Sequence, residues 1–361
     1  MGVDAEHRRM VGWPSRRFLD LVGTEQPIVQ APMANAGGVE LCVAASEGGA
    51  LGSLPCGMFT PDQIREQTGA VRERANGPLN LNFFCHRMPE QSDDRAWRAL
   101  LQPYYDEFGL EEPPPAPLRL PFDEASCATV EEVKPQVVSF HFGLPDEPLL
   151  ERVKAADAIV LGCATTVEEA VWLEQRGVDA IIAQGFEAGG HTGRFLGSNP
   201  AEALGLMALL PQVVDAARVP VIAAGGIADD RGIAAALMLG ASAVQIGTAY
   251  LHCPESLLPA GFRAVLSRRQ TLFTNIYSGG LARAVRGRLI DEIGPIRPEA
   301  PPYPLAGAAT MPLFRAAIEK GEFEFLPMLA GQSAALGKPL PAAELTRKLA
   351  ADALAILGGE A

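Results

Sequence analysis

The sequence carries little positive charge for its size. Its 361 residues include 30 Lys and Arg against 43 Asp and Glu, a formal net charge of −13. Surfaces that bind nucleic acids need clustered basic residues to contact phosphates, so this balance argues against such a partner. We interpret the acidity as a solubility feature of a globular protein.

Signatures of several other protein classes are also missing. The six cysteines form no CxxC pair, and no cluster of histidines and carboxylates predicts a metal site. There is no Walker motif and no GxGxxG fingerprint. The opening residues lack the apolar core of a secretory signal, and no apolar stretch is long enough for a convincing membrane span. We therefore expect a cytoplasmic protein with buried free thiols that binds neither nucleic acid nor membrane.

Eight short apolar runs are the main feature of the first 250 residues. They are almost continuously apolar, which is typical of strands buried on both faces of a parallel sheet. Helical patterns separate them, and four of the seven strand-to-strand steps are about 21 to 23 residues long, the length of one compact βα unit. The runs begin at Ile28, Ala50, Leu79, Val137, Ala158, Ala180, Pro220 and Ala243.

This pattern predicts an α/β fold, a (β/α)8 TIM barrel with a smaller helical second domain. An open doubly wound sheet is the alternative. We expect residues 1–255 to form the barrel, with an insertion at about 85–135 where the longest step lies. Residues 256–335 then form a helical lid or substrate domain, and 336–361 a last helix for which a return to the barrel is one option.

The last two predicted strands end in residues suited to phosphate binding. The seventh runs into Gly225 and Gly226, and the eighth into Gln245, Gly247 and Thr248. Loops after strands 7 and 8 of such barrels often bind phosphate, because glycines expose backbone amides and a helix N-terminus follows. The segment predicts a phosphate site that suits a mononucleotide better than a dinucleotide.

A glycine-rich stretch, "AQGFEAGGHTGRF", follows the sixth predicted strand. Gly189 and Gly190 have no Cβ, so the backbone can pass close to a bound group there. His191 then supplies a group that titrates near neutrality, which suits a general base. A loop histidine that caps a turn is the alternative interpretation.

Four segments resemble a known family. "QAPMANAGGVELCVAASEGGALGSL", "AQGFEAGGHTG", "VIAAGGI" and "QIGTAYL" are similar to the recurring segments of nitronate monooxygenases, formerly called 2-nitropropane dioxygenases, over about residues 25–255. The form "GFEAGGHTG" resembles class I. The resemblance implies FMN as cofactor and the oxidation of alkyl nitronates, propionate 3-nitronate among them, and of nitroalkanes, by O2 to a carbonyl compound and nitrite.

The resemblance also implies roles for individual residues. His191 would be the catalytic base. Of the two asparagines in "NLNFF", Asn82 is preferred to Asn80 because it lies nearer the strand's carboxyl end. No metal is implied. The implied cofactor contacts are Ala31, Pro32, Met33, Asn82, Gln184, Gly189, Gly190, Gly225, Gly226, Gln245, Gly247 and Thr248.

Other polar residues near the strand ends are weaker candidates. His141 could donate a hydrogen bond to substrate, or could be a core histidine. His86 is expected to be exposed to solvent. Glu187 could orient His191, bind a loop amide or lie on the surface, and Arg194 could attract an anionic substrate. No role is assigned to His7 and His252.

Two other functions compete with the nitronate monooxygenase. Flavin-dependent enoyl-acyl-carrier-protein reductases and NAD(P)H:quinone reductases resemble the same barrel, and "EAGGHTG" does not separate the groups cleanly. A non-catalytic barrel that binds a phosphate-bearing ligand is the third possibility. The oligomeric state and the roles of the insertion and the C-terminal third are left open.

Overall fold

A computed structural model gives the fold. It describes residues 12–90, 93–111, 118–197, 199–266 and 270–358. The expectations for the first eleven residues, His7 included, lie outside these ranges.

All eight predicted strand runs form strands, and three further strands are present in the described ranges. In chain order the strands are β1 (Ile28–Gln30), β2 (Gly52–Pro55), β3 (Leu79–Phe84), β4 (Val137–His141), β5 (Ile159–Ala164), β6 (Ala180–Gln184), β7 (Gly190–His191), β8 (Val221–Ala224), β9 (Ala243–Ile246), β10 (Thr271–Thr274) and β11 (Ala282–Val285).

Eight of these strands form one parallel sheet in the order β1-β9-β8-β6-β5-β4-β3-β2. Its two ends meet, because Val29 of β1 pairs in parallel with Leu51, next to β2. The Gln30 amide donates to the Leu51 carbonyl at 2.9 Å, and the Leu51 amide donates to the Ile28 carbonyl at the same distance. The sheet is therefore a closed eight-stranded barrel, and the open doubly wound alternative is wrong.

Fourteen α-helices lie within the described residues, and most follow a barrel strand. None of them is long and apolar enough to cross a membrane. They are α1 (Arg17–Val22), α2 (Val39–Glu47), α3 (Pro61–Arg72), α4 (Arg95–Phe108), α5 (Glu124–Val133), α6 (Glu147–Ala155), α7 (Val167–Gln175), α8 (Leu206–Ala216), α9 (Asp230–Met238), α10 (Thr248–Leu251), α11 (Ala260–Leu266), α12 (Arg288–Ile293), α13 (Gly307–Lys320) and α14 (Ala342–Ile356).

Local sequence explains where several of these helices begin. The Thr60 hydroxyl accepts from the Gln63 amide and the Gln63 side chain accepts from the Thr60 amide, a capping box that starts α3 with Pro61 in its first turn. Thr166 caps α7 and Asp229 caps α9 in the same way, with one side-chain oxygen on a free amide. These caps fix the residues at which the three helices begin.

The barrel interior changes from apolar to polar along its axis. Side chains alternate along each strand, and a buried apolar cluster that includes Phe18 and Leu19 of α1 fills one end. Towards the carboxyl ends of the strands the inward positions become polar. These positions are Asn82, Ser139, His141, Gln184 and Gln245. A functional site is therefore expected at this end, as in other barrels of this type.

A second hydrophobic core lies beside the barrel. It combines α4 with residues of α12, α13 and β11, and the Trp97 indole donates to the Ala306 carbonyl at 3.3 Å. By contrast, α5 packs against α3 and α6 in the barrel's helical layer. The segment between β3 and β4, the predicted insertion, is called the excursion after β3 below. It contributes one helix to the second core and one to the barrel's helical layer. The last helix, α14, packs against α2 and α9.

The expectation that 256–335 is helical is wrong in one place. β10 and β11 form an antiparallel hairpin there, and β11 also pairs with β7. Short segments such as "TLFT" and "ARAV" carry too little periodicity to distinguish helix from strand. The partner strand β7 comes from a distant loop, so the pairing is a tertiary effect.

Candidate active site

The carboxyl ends of the barrel strands surround a mouth over which β7 lies. Gly190 and His191 form β7, and Ala282 of β11 pairs opposite His191. The Thr192 amide donates to the Leu281 carbonyl at 3.0 Å. The backbone of His191 is therefore held by the second sheet, while its loop begins at the end of β6.

Two interior side chains hold the His191 carbonyl from below. The side-chain nitrogen Nε2 of Gln184 donates to it at 3.1 Å, and His141 Nε2 lies 3.2 Å from the same oxygen. The Gln184 side-chain oxygen accepts from the Gly193 amide at 2.6 Å. Gln184 thus binds the glycine-rich loop at two points, residues 191 and 193, which fixes this part of the loop relative to the barrel.

The His191 ring is half-buried among aromatic groups. Its Nε2 lies 2.7 Å from Ser278 Oγ. The ring centroids of Tyr303 and Phe142 lie 5.0 Å and 6.1 Å away. Burial holds the pKa of His191 well below 6.5, and the positive charge of Arg119 lowers it further, with smaller contributions from the neighbouring histidines. The imidazole is therefore neutral near pH 7.

His141 is also held neutral. Burial lowers its pKa to about 4, although the hydrogen bond to the His191 carbonyl acts in the opposite direction. Because a carbonyl only accepts, the Nε2 proton of His141 is engaged by the backbone. This contact favours the interpretation of His141 as a core histidine over that of a substrate donor.

The ends of β8 and β9 form a glycine cradle. Gly225 and Gly226 have φ angles of +115° and +71°, which residues other than glycine rarely adopt. A Cβ atom on Gly247 would lie 3.5 Å from the Ala31 Cβ and 3.6 Å from the Met33 sulfur. The segment after β1 therefore lies against the end of β9, as β1 and β9 are neighbours in the barrel.

Two polar side chains beside this cradle have different surroundings. The side-chain oxygen of Gln245 is buried and has no hydrogen-bond partner among the residues that the structure describes. Such atoms are rare, because an unpaired buried acceptor is costly. The Thr248 hydroxyl, by contrast, accepts from the Gly331 amide at 2.9 Å. Since Ala330 and Ala334 belong to the second core, this bond ties the cradle to that core.

The two asparagines of β3 lie at different depths. Asn80 is fully buried and donates to Ser53 Oγ at 2.9 Å. Asn82 is 8% exposed and donates to Ser139 Oγ at 2.9 Å. Asn82 is the nearer of the two to the mouth.

Comparison with known proteins gives this arrangement a context. The sequence profile of the family described as nitronate monooxygenase matches residues 15–352. The chain belongs to the nitronate monooxygenase family. It is 43% identical over 345 residues to a nitronate monooxygenase from Pseudomonas aeruginosa, with 92% of this chain and 97% of that protein covered. The family is one of oxidoreductases, and this member is an enzyme of that class.

Two solved structures resemble this family member. The nitroalkane oxidase of Streptomyces ansochromogenes superposes with a TM-score of 0.88 at 36% identity, covering 94% of this chain and 98% of that one. FabK from Thermotoga maritima superposes with a TM-score of 0.74 at 27% identity, covering 96% and 98%. The family and the barrel fold predicted from sequence are thus confirmed.

In this nitronate monooxygenase family member, the predicted site residues converge. Most of them lie near or just after the carboxyl end of a barrel strand. Gly190 and His191 are the exceptions, because they form β7, which lies over the mouth. The reason predicted for Gly189 changes, however. A Cβ atom there would lie 2.4 Å from the Gly331 amide nitrogen, so close packing of the chain requires this glycine. Gly190 has a φ of +78°, a backbone requirement.

The surroundings of the weaker candidates His86 and Arg194 are now defined. His86 is buried, not exposed, with Nε2 3.1 Å from the Arg119 carbonyl and its ring 4.7 Å from that of Tyr303. Arg194 donates to Glu202 at 2.9 Å and has a side chain only 10% exposed, so its charge is already compensated.

Glu187 binds a loop amide and not His191. Its carboxylate accepts from the Leu206 amide at 2.9 Å, at the start of α8. Its carbonyl accepts from the Gln332 amide at 3.0 Å. His252, to which no role was assigned, is buried with Nε2 3.0 Å from the Ala334 carbonyl.

Sequence reasoning missed four residues at the mouth: Ser278, Tyr303, Phe142 and Arg119. Ser278 lies in the short segment "YSGG", and Tyr303 lies in a proline-rich connector. The two segments pack closely at Gly280, where a Cβ atom would lie only 3.0 Å from the Tyr303 ring. Phe142 has a φ of +68°, unusual for a bulky residue. No local signal links these residues to His191.

The described part of the chain contains no group of three or more His, Cys, Asp or Glu that could hold a metal ion. All six cysteines are free, and five of them are buried. Burial raises the pKa of Cys42 to about 12. This thiol is therefore protonated near neutral pH and is a poor nucleophile.

Proposed function

We propose that this chain is an FMN-dependent nitronate monooxygenase. It oxidises alkyl nitronates, and nitroalkanes after removal of an α-proton, with O2 to a carbonyl compound and nitrite. The observation that carries the proposal is the position of a neutral His191 over the mouth of a closed barrel, at the same end of the barrel as the glycine cradle of β8 and β9.

The residues present fit FMN. The cradle at Gly225, Gly226 and Gly247 lies at the strand ends where barrels of this type bind a phosphate, and the two positive φ angles there require glycine. The unpaired oxygen of Gln245 is an acceptor that a polar ligand atom would satisfy. Backbone at 31–33, against Gly247, would hold the ring region together with Asn82 and Gln184. When bound, FMN supplies the redox chemistry.

The protein's own part is proton transfer and positioning. When Nε2–H of His191 donates to Ser278 Oγ, Nδ1 is left as an acceptor for the α-proton of a nitroalkane. The proton then resides on His191 and the anionic nitronate forms beside it. General-base assistance of this kind contributes roughly 10²–10⁴ in rate. A nitronate supplied already ionised bypasses the step.

The aromatic groups around His191 restrict water. Tyr303 and Phe142 contact its ring edge-on, and His86 extends the same cluster through Tyr303. Exclusion of water strengthens the electrostatic interactions between the imidazole and a bound anion. Propionate 3-nitronate, which the resemblance implies, is the first substrate to assay.

One comparison favours a second candidate function. The likeness to FabK extends over nearly the whole chain, which is consistent with an NAD(P)H-dependent reductase on the same barrel. Such an enzyme oxidises NADH in air without any nitro compound.

The test is a visible spectrum of the purified protein followed by oxygen uptake. We expect a flavin spectrum, oxygen uptake and nitrite release with ethyl nitronate or propionate 3-nitronate, and little uptake with NADH alone. Rapid NADH oxidation without nitrite would favour the reductase. A colourless protein that FMN does not reconstitute would contradict both.

A further inference from the structure

Arg119 lies at the mouth on a segment that is fixed at two points. The Phe122 amide donates to the Phe84 carbonyl at 2.7 Å, and the Arg119 carbonyl lies 3.1 Å from His86 Nε2. The guanidinium carbon lies 5.9 Å from the Phe84 ring centroid, and the residue is half-buried. A loop of the excursion after β3 thus holds this cation beside the ends of β3 and β4.

The charge of Arg119 has no carboxylate partner among the described residues. No salt bridge in those ranges includes it, although many surface arginines are paired, such as Arg65 with Glu132 at 2.8 Å. Arg194, expected from sequence to attract an anion, is paired with Glu202. A half-buried, uncompensated guanidinium favours an anionic ligand, since its donors suit planar anions such as carboxylates.

Three groups at the mouth are affected by the charge of Arg119. It lowers the pKa of His191 and of His86, and it lowers that of the Tyr303 hydroxyl against the larger, opposite effect of burial. The rings join into one cluster, with His86 4.7 Å from Tyr303 and Tyr303 5.0 Å from His191. Arg119 therefore acts on the same space as the proposed base.

We propose that Arg119 is a specificity-determining residue that selects anionic nitronates over neutral nitroalkanes at the mouth of the barrel. The proposal rests on the proposed function. A planar nitronate carries its charge on two oxygens, which matches the guanidinium fork. A neutral nitroalkane of the same shape has no net charge to be attracted.

Ethyl nitronate and nitroethane form the matched substrate pair for the test, because they differ by one proton. With Arg119→Gln we expect kcat/KM for ethyl nitronate to fall about 10- to 100-fold, the effect of losing a charge-assisted hydrogen bond. For nitroethane we expect a smaller fall, because its negative charge is absent on binding and develops only during proton transfer. Arg119→Lys keeps the charge, so we expect it to retain most of the preference.

Arg65→Gln is the matched control. It removes the same charge from α3, on the outer helical layer, where Arg65 pairs with Asp62 and Glu132. We expect the ratio of the two kcat/KM values to be unchanged in this variant. The proposal is overturned if Arg119→Gln lowers kcat/KM equally for both substrates. It is also overturned if the ratio of kcat/KM for ethyl nitronate to that for nitroethane is the parental one in both Arg119 variants.

A binding measurement separates this proposal from the proposed function. Nitrite, a planar anion with two oxygens, is titrated calorimetrically into the purified holoenzyme. We expect Arg119→Gln to weaken nitrite binding at least about tenfold, with Arg119→Lys close to the parent. If the parent does not oxidise nitronates yet nitrite binding depends on Arg119, the proposed function fails and the anion site stands. Nitrite affinity that does not depend on Arg119 overturns the anion site.

Discussion

His191 and Ser278, 87 positions apart in the chain, meet at 2.7 Å between Nε2 and Oγ. The contact is possible because β7 pairs with β11, which lies just after Ser278. The Gly280 amide lies 3.4 Å from the same hydroxyl. The second sheet thus delivers to the barrel mouth the group that orients the proposed base.

The role of His191 as a base predicts an uneven loss of activity. In His191→Asn we expect flavin to be retained and kcat/KM for nitroethane to fall about 100-fold or more, because the general base is gone. Oxidation of ethyl nitronate should fall much less, since its proton is already removed. Parallel measurements of oxygen uptake with the two substrates test this. Unchanged rates with both would show that His191 is not the base.

Ser278 should act as a positioning residue. We expect Ser278→Ala to lower kcat for nitroethane about tenfold through loss of one hydrogen bond to the ring, with a small change in KM. Ser278→Thr keeps the hydroxyl and should recover most of the rate. If Ser278→Ala and Ser278→Thr lose activity equally, the effect is steric and the hydrogen bond has no part in it.

The pKa of His191 predicts the pH dependence of nitroalkane oxidation. Because burial and Arg119 hold this pKa well below 6.5, the ring stays neutral as the pH falls through 6.5. The proton-accepting form is lost only at distinctly lower pH. We therefore expect kcat/KM for nitroethane to show no acidic decline near pH 6.5. A half-maximal value at or above pH 6.5 would contradict this assignment.

The glycine cradle predicts a variant that loses its cofactor. Gly226→Val places a β-branched side chain at a φ of +71°. The new Cβ atom would lie 3.2 Å from the Cβ atom of Glu187. The strain costs about 1–3 kcal/mol, and the new side chain presses on Glu187, which displaces the backbone of the proposed phosphate site. We expect the variant to purify with little flavin absorbance per polypeptide.

Gly69→Ala is the control for the cradle variant. A Cβ atom at this position in α3 meets nothing within 4 Å, and alanine favours a helix by about 0.5–1 kcal/mol. We expect full flavin occupancy and equal or higher stability. Normal flavin content in Gly226→Val would remove the phosphate assignment.

His141 should make the protein sensitive to acid. The unfolded side chain takes up a proton near pH 6.5, whereas in the folded protein its pKa is about 4. Folding stability from this residue is therefore complete above pH 6.5 and declines as the pH falls towards 4, by up to about 3 kcal/mol.

His141→Gln isolates that contribution, because glutamine can still donate to the His191 carbonyl but does not titrate. Denaturant unfolding at a series of pH values measures the difference. We expect the free energies of unfolding to agree within about 1 kcal/mol at pH 7 and the decline below pH 6.5 to be shallower in the variant. Parallel declines would mean that His141 does not titrate as described.

Local pattern predicted much of the fold. The strands that start near Ile28 and Val221 can be predicted from sequence because strands buried on both faces are largely apolar. The end of the second of these strands is marked by Gly225, whose φ few other residues adopt. Gln184 and His191 could be assigned to the mouth because both lie at or just after a strand's carboxyl end. The hairpin at 271–285 could not, because its strands are short and their partner β7 is remote.

The sequence by itself determined an eight-stranded barrel with glycine-lined strand ends and a histidine near its mouth, because burial and backbone geometry act over a few residues at a time. Tertiary structure alone decided which groups surround that histidine. Ser278, Tyr303 and Arg119 come from three separate loops, and nothing in their local sequence specifies a partner. Their positions depend on how the second core and the excursion after β3 pack against the barrel, which requires the whole chain.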